Sequence, residues 1–278
     1  MVTDNRQFIV FSGLYGSMFN PEAPDIDDLL STIERLQGEK IPLIITSDRT
    51  ADEVFSTVQR MSLKGPLIVE SGGAIYIPED EFSVEFNYQD TVENYKIIEF
   101  GVKHEFILEK LADLRTHNGF KVLGLSEMSP DQISDMGLLS LDEIRAAQAR
   151  RFSEPILFEG DADEMHRFHA ELEHMNLRCI SRGNYHIITG DHDEGSAVRF
   201  LVQLYREEFP QMQIITIGLG DNFIDAPMLH AVDQPVLLRK PDGKFDSEVG
   251  KRGLRFTKNP GHLGWSQAVN AIIDDTEN

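Results

Sequence analysis

Cysteine is nearly absent: among 278 residues there is one, Cys179. No internal disulfide can form, which fits a reducing compartment, and Cys179 reads as a core filler. Positive charge is scarce as well. The chain carries 26 Lys and Arg against 47 Asp and Glu, a net charge of −21. Nucleic acid and anionic membrane are thereby excluded as main partners, because both demand a basic surface. A phosphorylated small molecule is not excluded, since a local basic pocket can sit in an acidic protein. The surplus acid is compatible with simple solubility or with a salty environment. No apolar run approaches the roughly 20 residues of a membrane span. The residues after Met1 are polar, and Phe8 to Phe11 is too short for a signal core. Repeats and low-complexity segments are missing too. The expected location is the cytoplasm.

What is present is organised around Gln213 to Leu229, QIITIGLGDNFIDAPML. The β-branched run Ile214 to Ile217 ends at Gly218-Leu219-Gly220, as a buried parallel strand does. Two carboxylates follow, Asp221 and Asp225. Ligands of open α/β sheets bind beyond the carboxyl ends of such strands. Two acids in that turn suit a hard cation such as Mg²⁺; Asp221 or Asn222 capping a helix is the alternative.

Upstream, FIVF (8–11), IPLIIT (41–46) and PLIVE (66–70) read as strands. Helical apolar spacing at Ile26, Leu29, Leu30, Ile33 and Leu36, and again at Val54, Val58 and Met61, separates them. The order β-α-β-α-β predicts a doubly wound parallel sheet. After about Phe86 the pattern changes. A helix is expected over Ile97–Arg115, then strands at 120–125, 156–158, 177–181 and 186–189 with helices between, the plan of a small inserted α+β domain. Helix 195–209, the Ile214 strand, a strand at Val236–Leu238 and a last helix over 263–273 complete the chain. The expected division is a core of residues 1–86 plus 187–278 and an inserted cap of 87–186.

GLGDNFIDAPML resembles the last motif of the haloacid dehalogenase (HAD) superfamily, GDxxND-x-x-ML in its sugar-phosphatase branches. Within the superfamily the chain is similar to the mannosyl-3-phosphoglycerate phosphatases. The inserted part carries that likeness. Leu123 to Ser129 (LGLSEMS) resembles the family's GFSDMS segment, Arg150 to Pro155 (RRFSEP) its REYSEP segment, and Arg182 to His186 (RGNYH) its GGRFxH segment. The resemblance implies a HAD-like Rossmann-type core with an inserted cap. It also implies an Mg²⁺-dependent phosphohydrolase acting through an aspartyl nucleophile, an acid/base aspartate two residues on, a phosphate-binding hydroxyl and a charge-neutralising lysine. Each part has its reason: the nucleophile must be an in-line oxyanion, and cation and lysine stabilise the equatorial oxygens.

Aligned residue by residue, the parts are unevenly kept. The loop DxDGT becomes Gly13-Leu14-Tyr15-Gly16-Ser17, so glycine holds the nucleophile's place and tyrosine the acid/base place. Tyrosine, with an ordinary pKa of about 10, is a poor base at neutral pH. No Asp or Glu lies between Gln7 and Pro21. Ser12 and Ser17 are the remaining hydroxyls, with no base visible locally. Ser47 matches the phosphate-binding hydroxyl, or else caps the helix that follows. Glu194 stands where the family has lysine. Asp221 and Asp225 keep the metal-binding acids, or else hold their loop through backbone N–H groups. In the cap, the resemblance marks Ser126, Glu127, Met128, Arg150, Arg151, Ser153, Arg182, Gly183 and His186 as ligand-binding candidates. The arginines suit phosphate or carboxylate, or else form a solvated helix end and turn. His186 is placed on a strand facing the cap–core junction, with a structural role as its plainer reading. Tyr15 either binds ligand or fills vacated space.

Three expectations follow. The chain is a degenerate phosphatase that binds a phosphorylated sugar or glycerate-type ligand, or regulates a related synthase or phosphatase. Alternatively it is an active phosphohydrolase using metal-activated water at Asp221 and Asp225, or a structural subunit of an osmolyte-synthesis complex. Mg²⁺ is the implied cofactor, with weakened affinity expected from the missing carboxylate at position 13.

Overall fold

The computed structural model describes residues 5–19, 26–134, 140–182, 185–250 and 253–275. Its centre is β1 (Arg6–Gly13), six consecutive residues of which are buried. β1 lies parallel to β11 (Gln213–Gly220) on one side, Val10 opposite Ile217, and to β2 (Leu43–Thr46) on the other. The sheet continues outward through β3 (Leu67–Val69) on the β2 side and through β12 (Gln234–Arg239) and β13 (Arg255–Pro260) on the β11 side, all parallel. β4 (Ala74–Pro78), β6 (Tyr95–Glu99) and β5 (Asp90–Val92) add an antiparallel margin, giving nine strands among the described residues.

Helices cover both faces, as a sheet buried on both sides requires. α1 (Asp27–Gly38), α2 (Ala51–Arg60) and α9 (Gly261–Asp275) pack on one face around Val10, Ile45 and Trp265. α7 (Glu194–Glu208) and α8 (Ala226–Leu229) pack on the other around Ile9, Phe11 and Ile44. The doubly wound α/β reading therefore holds.

A second, four-stranded antiparallel sheet has the order β7 (Lys121–Gly124), β8 (Ser153–Glu159), β10 (Tyr185–Thr189), β9 (Arg178–Arg182). α3 (His104–Asn118) and α6 (Ala162–His174) cover one face of it through Leu111, Leu114, Phe168 and Leu172. The short α4 (Pro130–Ser134) and α5 (Leu141–Gln148) form a smaller cluster around Met128 and Ile144. This is the cap.

Two elements differ from the sequence reading. The helix expected over Ile97–Arg115 begins only at His104, and Ile97 and Ile98 sit in β6 against β4. The run Tyr-Lys-Ile-Ile-Glu follows a tight turn at Glu93, whose φ is 51°, so the chain doubles back as a hairpin. β13 was not anticipated, because Arg-Phe-Thr-Lys-Asn-Pro has no apolar run and only Thr257 in it is buried. Sheet membership also cuts the chain at places other than 86/87 and 186/187. Residues 90–99 belong to the nine-stranded sheet, and all of β10 belongs to the four-stranded one.

Candidate functional site

The ends of β1, β2 and β11 and the start of α7 converge at the carboxyl edge of the parallel strands, where an open α/β sheet binds ligands. Gly13 closes β1. A Cβ built there would lie 3.0 Å from both Asp225 Oδ1 and Ser17 Oγ. Gly16, at φ +85°, lies closer still to the acidic loop: its Cβ would stand 2.8 Å from Asp221 Oδ2. The 13–17 loop thus rests directly on the two aspartates, and the missing side chains are what allow the approach.

Asp225 is buried, and its Oδ2 accepts the backbone N–H groups of Asp221 (2.8 Å) and Asn222 (3.1 Å). Burial, then the neighbouring charge of Asp221, pushes its carboxyl up to about 7. Asp221 Oδ1 accepts from Asn222 Nδ2 at 3.1 Å and from Ser17 Oγ at 3.3 Å. Burial raises this carboxyl too, against those two hydrogen bonds. Asn222, not Asp221, caps the short turn 223–225 through Ile224 N–H.

Glu194 opens α7 behind the Asp193 cap, whose side chain accepts Ser196 N–H at 2.7 Å. Its carboxyl is 2 % exposed and its Oε2 has no hydrogen-bond partner. Burial, with the charges of Asp225 and Asp48 nearby, holds it well above the ordinary carboxyl range, while Thr46 and Arg182 oppose that rise. Where the resemblance implies a lysine facing phosphate, this chain has a buried acid facing other acids.

Ser47 follows β2. Its N–H donates to Ile68 O and its Oγ accepts Arg49 N–H at 3.1 Å. It does not cap α2; Thr50 does, in a capping box with Glu53. Tyr15 turns toward α2. Its hydroxyl meets Thr57 Oγ1 at 2.8 Å, its edge meets Phe19, and the Arg49 guanidinium lies 3.8 Å over its ring. Tyr15 and Gly16 form part of the wall of a cleft of about 1130 Å³ between the 15–19 loop, α2, α5 and the turn after β13.

The cap residues divide sharply. Among the described candidate cap residues, Arg182 alone pairs its side chain with a carboxylate of the acidic centre. Its Nε pairs with Asp48 Oδ2 at 3.0 Å, it bonds the Tyr185 phenol, and it feels the charge of Asp225. The others fasten structure. Arg150 donates to Asp48 O at 2.8 Å and to Ser153 Oγ at 3.3 Å. Arg151 binds Tyr76, Asp90 and Glu99. Ser153 Oγ donates to buried Glu70 at 2.6 Å, and the same carboxylate accepts the N–H groups of Arg151 and Phe152. Ser126 binds Glu154 through N–H and hydroxyl, Glu127 pairs with Arg115, and Met128 is buried in the α4–α5 cluster. His186 does not face the junction. Side chains alternate along a strand, so in register with Ser181 it accepts or shares that hydroxyl's proton at 3.1 Å, while its neighbour Tyr185, opposite Arg182, faces the core. Burial and nearby His169 lower the imidazole's pKa. Gly183 lies outside the described residues.

Sequence reasoning passed over Asp48, Glu70 and Tyr185. Asp48 follows Ser47 directly, and Glu70 is a buried acid at φ 48° just before the Ser-Gly-Gly turn; both carried a local signal. Tyr185 had none beyond its alternation with His186.

A divalent cation is implied by the family resemblance, and the donor set fits it incompletely. Among the described residues no three His, Cys, Asp or Glu side chains are arranged to hold a metal ion. One oxygen of Asp225 is committed to two N–H groups, and position 13 offers no carboxylate.

Known proteins place the chain. The family model for haloacid dehalogenase-like hydrolases matches residues 19–240, beginning just after the 13–17 loop. A glucosyl-3-phosphoglycerate/mannosyl-3-phosphoglycerate phosphatase of Methanococcoides burtonii is 33% identical over 97% of this chain and 98% of its own. One of the same name from Persephonella marina is 30% identical over 97% and 98%. Among solved structures, a HAD-superfamily phosphatase from Bacteroides thetaiotaomicron superposes with a TM-score of 0.66 at 11% identity, covering 98% of this chain and 97% of that one. A haloacid dehalogenase-like hydrolase from B. subtilis gives 0.65 at 14% identity, covering 96% and 98%. The chain belongs to the haloacid dehalogenase-like hydrolase family, in the group of its glucosyl-3-phosphoglycerate/mannosyl-3-phosphoglycerate phosphatase relatives.

Proposed function

We propose that this chain binds a glycosyl-glycerate-type small molecule between cap and core without hydrolysing it. The observation that carries this reading is Gly13. The end of β1 abuts Asp225, and it presents no atom that can attack phosphorus. Tyr15 is committed to Thr57 and Arg49, and Glu194 puts a buried carboxyl, with no positive charge to offer, at the lysine position. Loss of a nucleophile alone lowers turnover by several powers of ten, roughly 10⁴ or more. A ligand-binding role is supported by Arg182, a partly exposed guanidinium at the cap–core junction, and by the cleft beside Tyr15. The relatives' names supply the ligand class.

One observation favours a second reading, an active phosphohydrolase with a shifted nucleophile: Ser17 Oγ lies 3.3 Å from Asp221. In that scheme Ser17 passes its proton to Asp221 as its oxygen bonds to phosphorus, the bond from phosphorus to the substrate oxygen breaks with that oxygen taking a proton from solvent, and water then cleaves the phosphoserine to free phosphate. Against it, Ser17 is fully buried, so phosphorus cannot reach it without the loop moving.

Phosphate release from mannosyl-3-phosphoglycerate, with and without Mg²⁺, beside calorimetric titration of the same ester and of its dephosphorylated form, separates the two. Binding of either compound with no turnover is the expected result. Turnover abolished in Ser17→Ala or Asp221→Asn sinks the non-catalytic reading.

A further inference from the structure

The 26 basic residues of the chain are unevenly spread. Seven of them lie between Arg239 and Lys258, against three acids, which leaves 19 basic and 44 acidic residues for everything else. This local excess runs from the end of β12 into β13, the strand that closes one side of the nine-stranded sheet. Among the described residues β13 has β12 as its one strand partner. One row of its backbone N–H and C=O groups therefore faces outward without a neighbouring strand.

The side chains around that edge share a character. Arg255, Phe256 and Lys258 are exposed along β13, and Lys244 is exposed in the loop before it. Phe256 is 43 % exposed and meets Phe245 edge-on at 5.0 Å, and the Arg239 guanidinium lies 5.2 Å from the centre of the Phe245 ring. Lys240 is paired with Asp246 at 2.8 Å, and Arg255 stands 3.9 Å from Asp275. Among the described residues Arg239, Lys244 and Lys258 have no carboxylate partner, and Arg239 Nε is buried without a hydrogen-bond partner. In a chain so rich in acid, cations left unpaired beside an exposed aromatic ring make a patch unlike the rest of the surface. Arginine and aromatic side chains are also the residues that anchor protein interfaces.

We propose that the β13 edge is an interaction surface for an extended acidic segment of another protein, which lies beside β13 as an added strand. The outward row of main-chain groups would hold its backbone, Phe256 would take an apolar side chain, and Lys244, Arg255 and Lys258 would meet its carboxylates. The charge pattern selects this occupant. A second copy of the chain would set its own cations against these, and like charges opposed across a strand pair repel. A nucleic acid would use the cations and leave the outward C=O groups unmatched, while its phosphates met the acidic remainder of the molecule. An acidic strand matches the cations, the aromatic ring and the backbone row together.

The test titrates the full chain with the peptide acetyl-Glu-Val-Glu-Phe-Glu-Val-Glu-amide at low salt and follows amide hydrogen exchange in the complex. The peptide is expected to bind, to weaken as salt rises, and to slow exchange in β13 by about tenfold. Lys244→Glu with Lys258→Glu should weaken it about tenfold, and Phe256→Ala should weaken it as well, with thermal melts showing that both variants are folded. The same peptide with lysine in place of glutamate should not bind. No binding of the acidic peptide overturns the proposal, as does binding that leaves β13 exchange unchanged or that the double variant does not move. Tighter binding of a single-stranded DNA oligonucleotide of equal charge overturns it in favour of a nucleic-acid surface. A concentration-dependent dimer in sedimentation, lost in the double variant, overturns it in favour of a second copy.

Discussion

The buried acids at the sheet edge make a thermodynamic prediction that needs no ligand. A carboxyl held up in the folded state keeps its proton while the unfolded chain loses its own. Stability is then fully present below the unfolded pKa and is lost as pH rises through the folded value. For Asp225 the two values are 3.8 and about 7, so the window runs from about pH 4 to about pH 7. At 1.36 kcal/mol for each pKa step, roughly 4 kcal/mol is at stake as an upper figure. Glu194 contributes with the same sign. Carboxyls that are lowered, such as Glu127 beside Arg115 and Asp246 beside Lys240, act oppositely, losing stability as pH falls.

A difference measurement removes those background groups. Asp225→Asn keeps an oxygen to accept the N–H groups of Asp221 and Asn222 and abolishes the titration. Urea unfolding of both proteins in EDTA, from about pH 4.5 to about pH 8, should give curves that meet at the acid end and diverge above it. The variant is expected to be more stable than wild type by about 2–4 kcal/mol at pH 7.5, despite its altered site. Because the groups are buried, high salt should leave the divergence nearly unchanged. Parallel curves would refute the reasoning: they would mean that Asp225 is ionised and satisfied in the fold, as a bound cation would make it.

Further outcomes follow from the same contacts. Gly13→Asp alone should destabilise by about 1–3 kcal/mol, because its Cβ meets Asp225 and Ser17 at 3.0 Å and adds a like charge; it should release no phosphate, as thermal melts and a phosphate assay will show. Gly13→Asp with Tyr15→Asp and Glu194→Lys should gain Mg²⁺-dependent turnover if a decayed phosphatase underlies the site, and a folded, inert triple variant would weaken that descent. Glu70→Ala strands the N–H groups of Arg151 and Phe152 and the Ser153 hydroxyl, and should cost about 3–5 kcal/mol, with faster amide exchange at the start of β8.

Much of the architecture was legible because burial writes itself into composition. β1, β2, β3 and β11 are short β-branched or aromatic runs bounded by turn residues, and each is a strand of the large sheet. Where pattern failed, two periods competed or none existed. Ile97 and Ile98 continue the helical spacing of Val102, Phe106 and Leu111, yet hydrogen bonding to β4 claims them. β13 is a polar edge strand without a period to read. The site followed the same logic. Positions 13, 15, 194, 221 and 225 could be placed by alignment with motifs, because strand ends fix where their residues go.

Side-chain roles in the cap could not be placed that way, and the reason bears on how the protein is understood. Motif likeness in RRFSEP suggested a retained grip on ligand. The partners of those residues lie far away in sequence: Ser153 and the Arg151 N–H meet Glu70, and Arg150 meets Asp48. They fix the cap to the core. Such contacts are needed whether or not the centre does chemistry, so their survival says nothing about a ligand. Arg182 is different. It pairs with Asp48, a residue of the site itself, bonds the Tyr185 phenol and feels the charge of Asp225. Binding should therefore respond to Arg182 and not to Arg151, whose loss should register in stability instead. If both substitutions weaken a glycerate-bearing ligand equally, with the melting temperature tracking affinity, the cap is only a scaffold and Arg182 one more fastener.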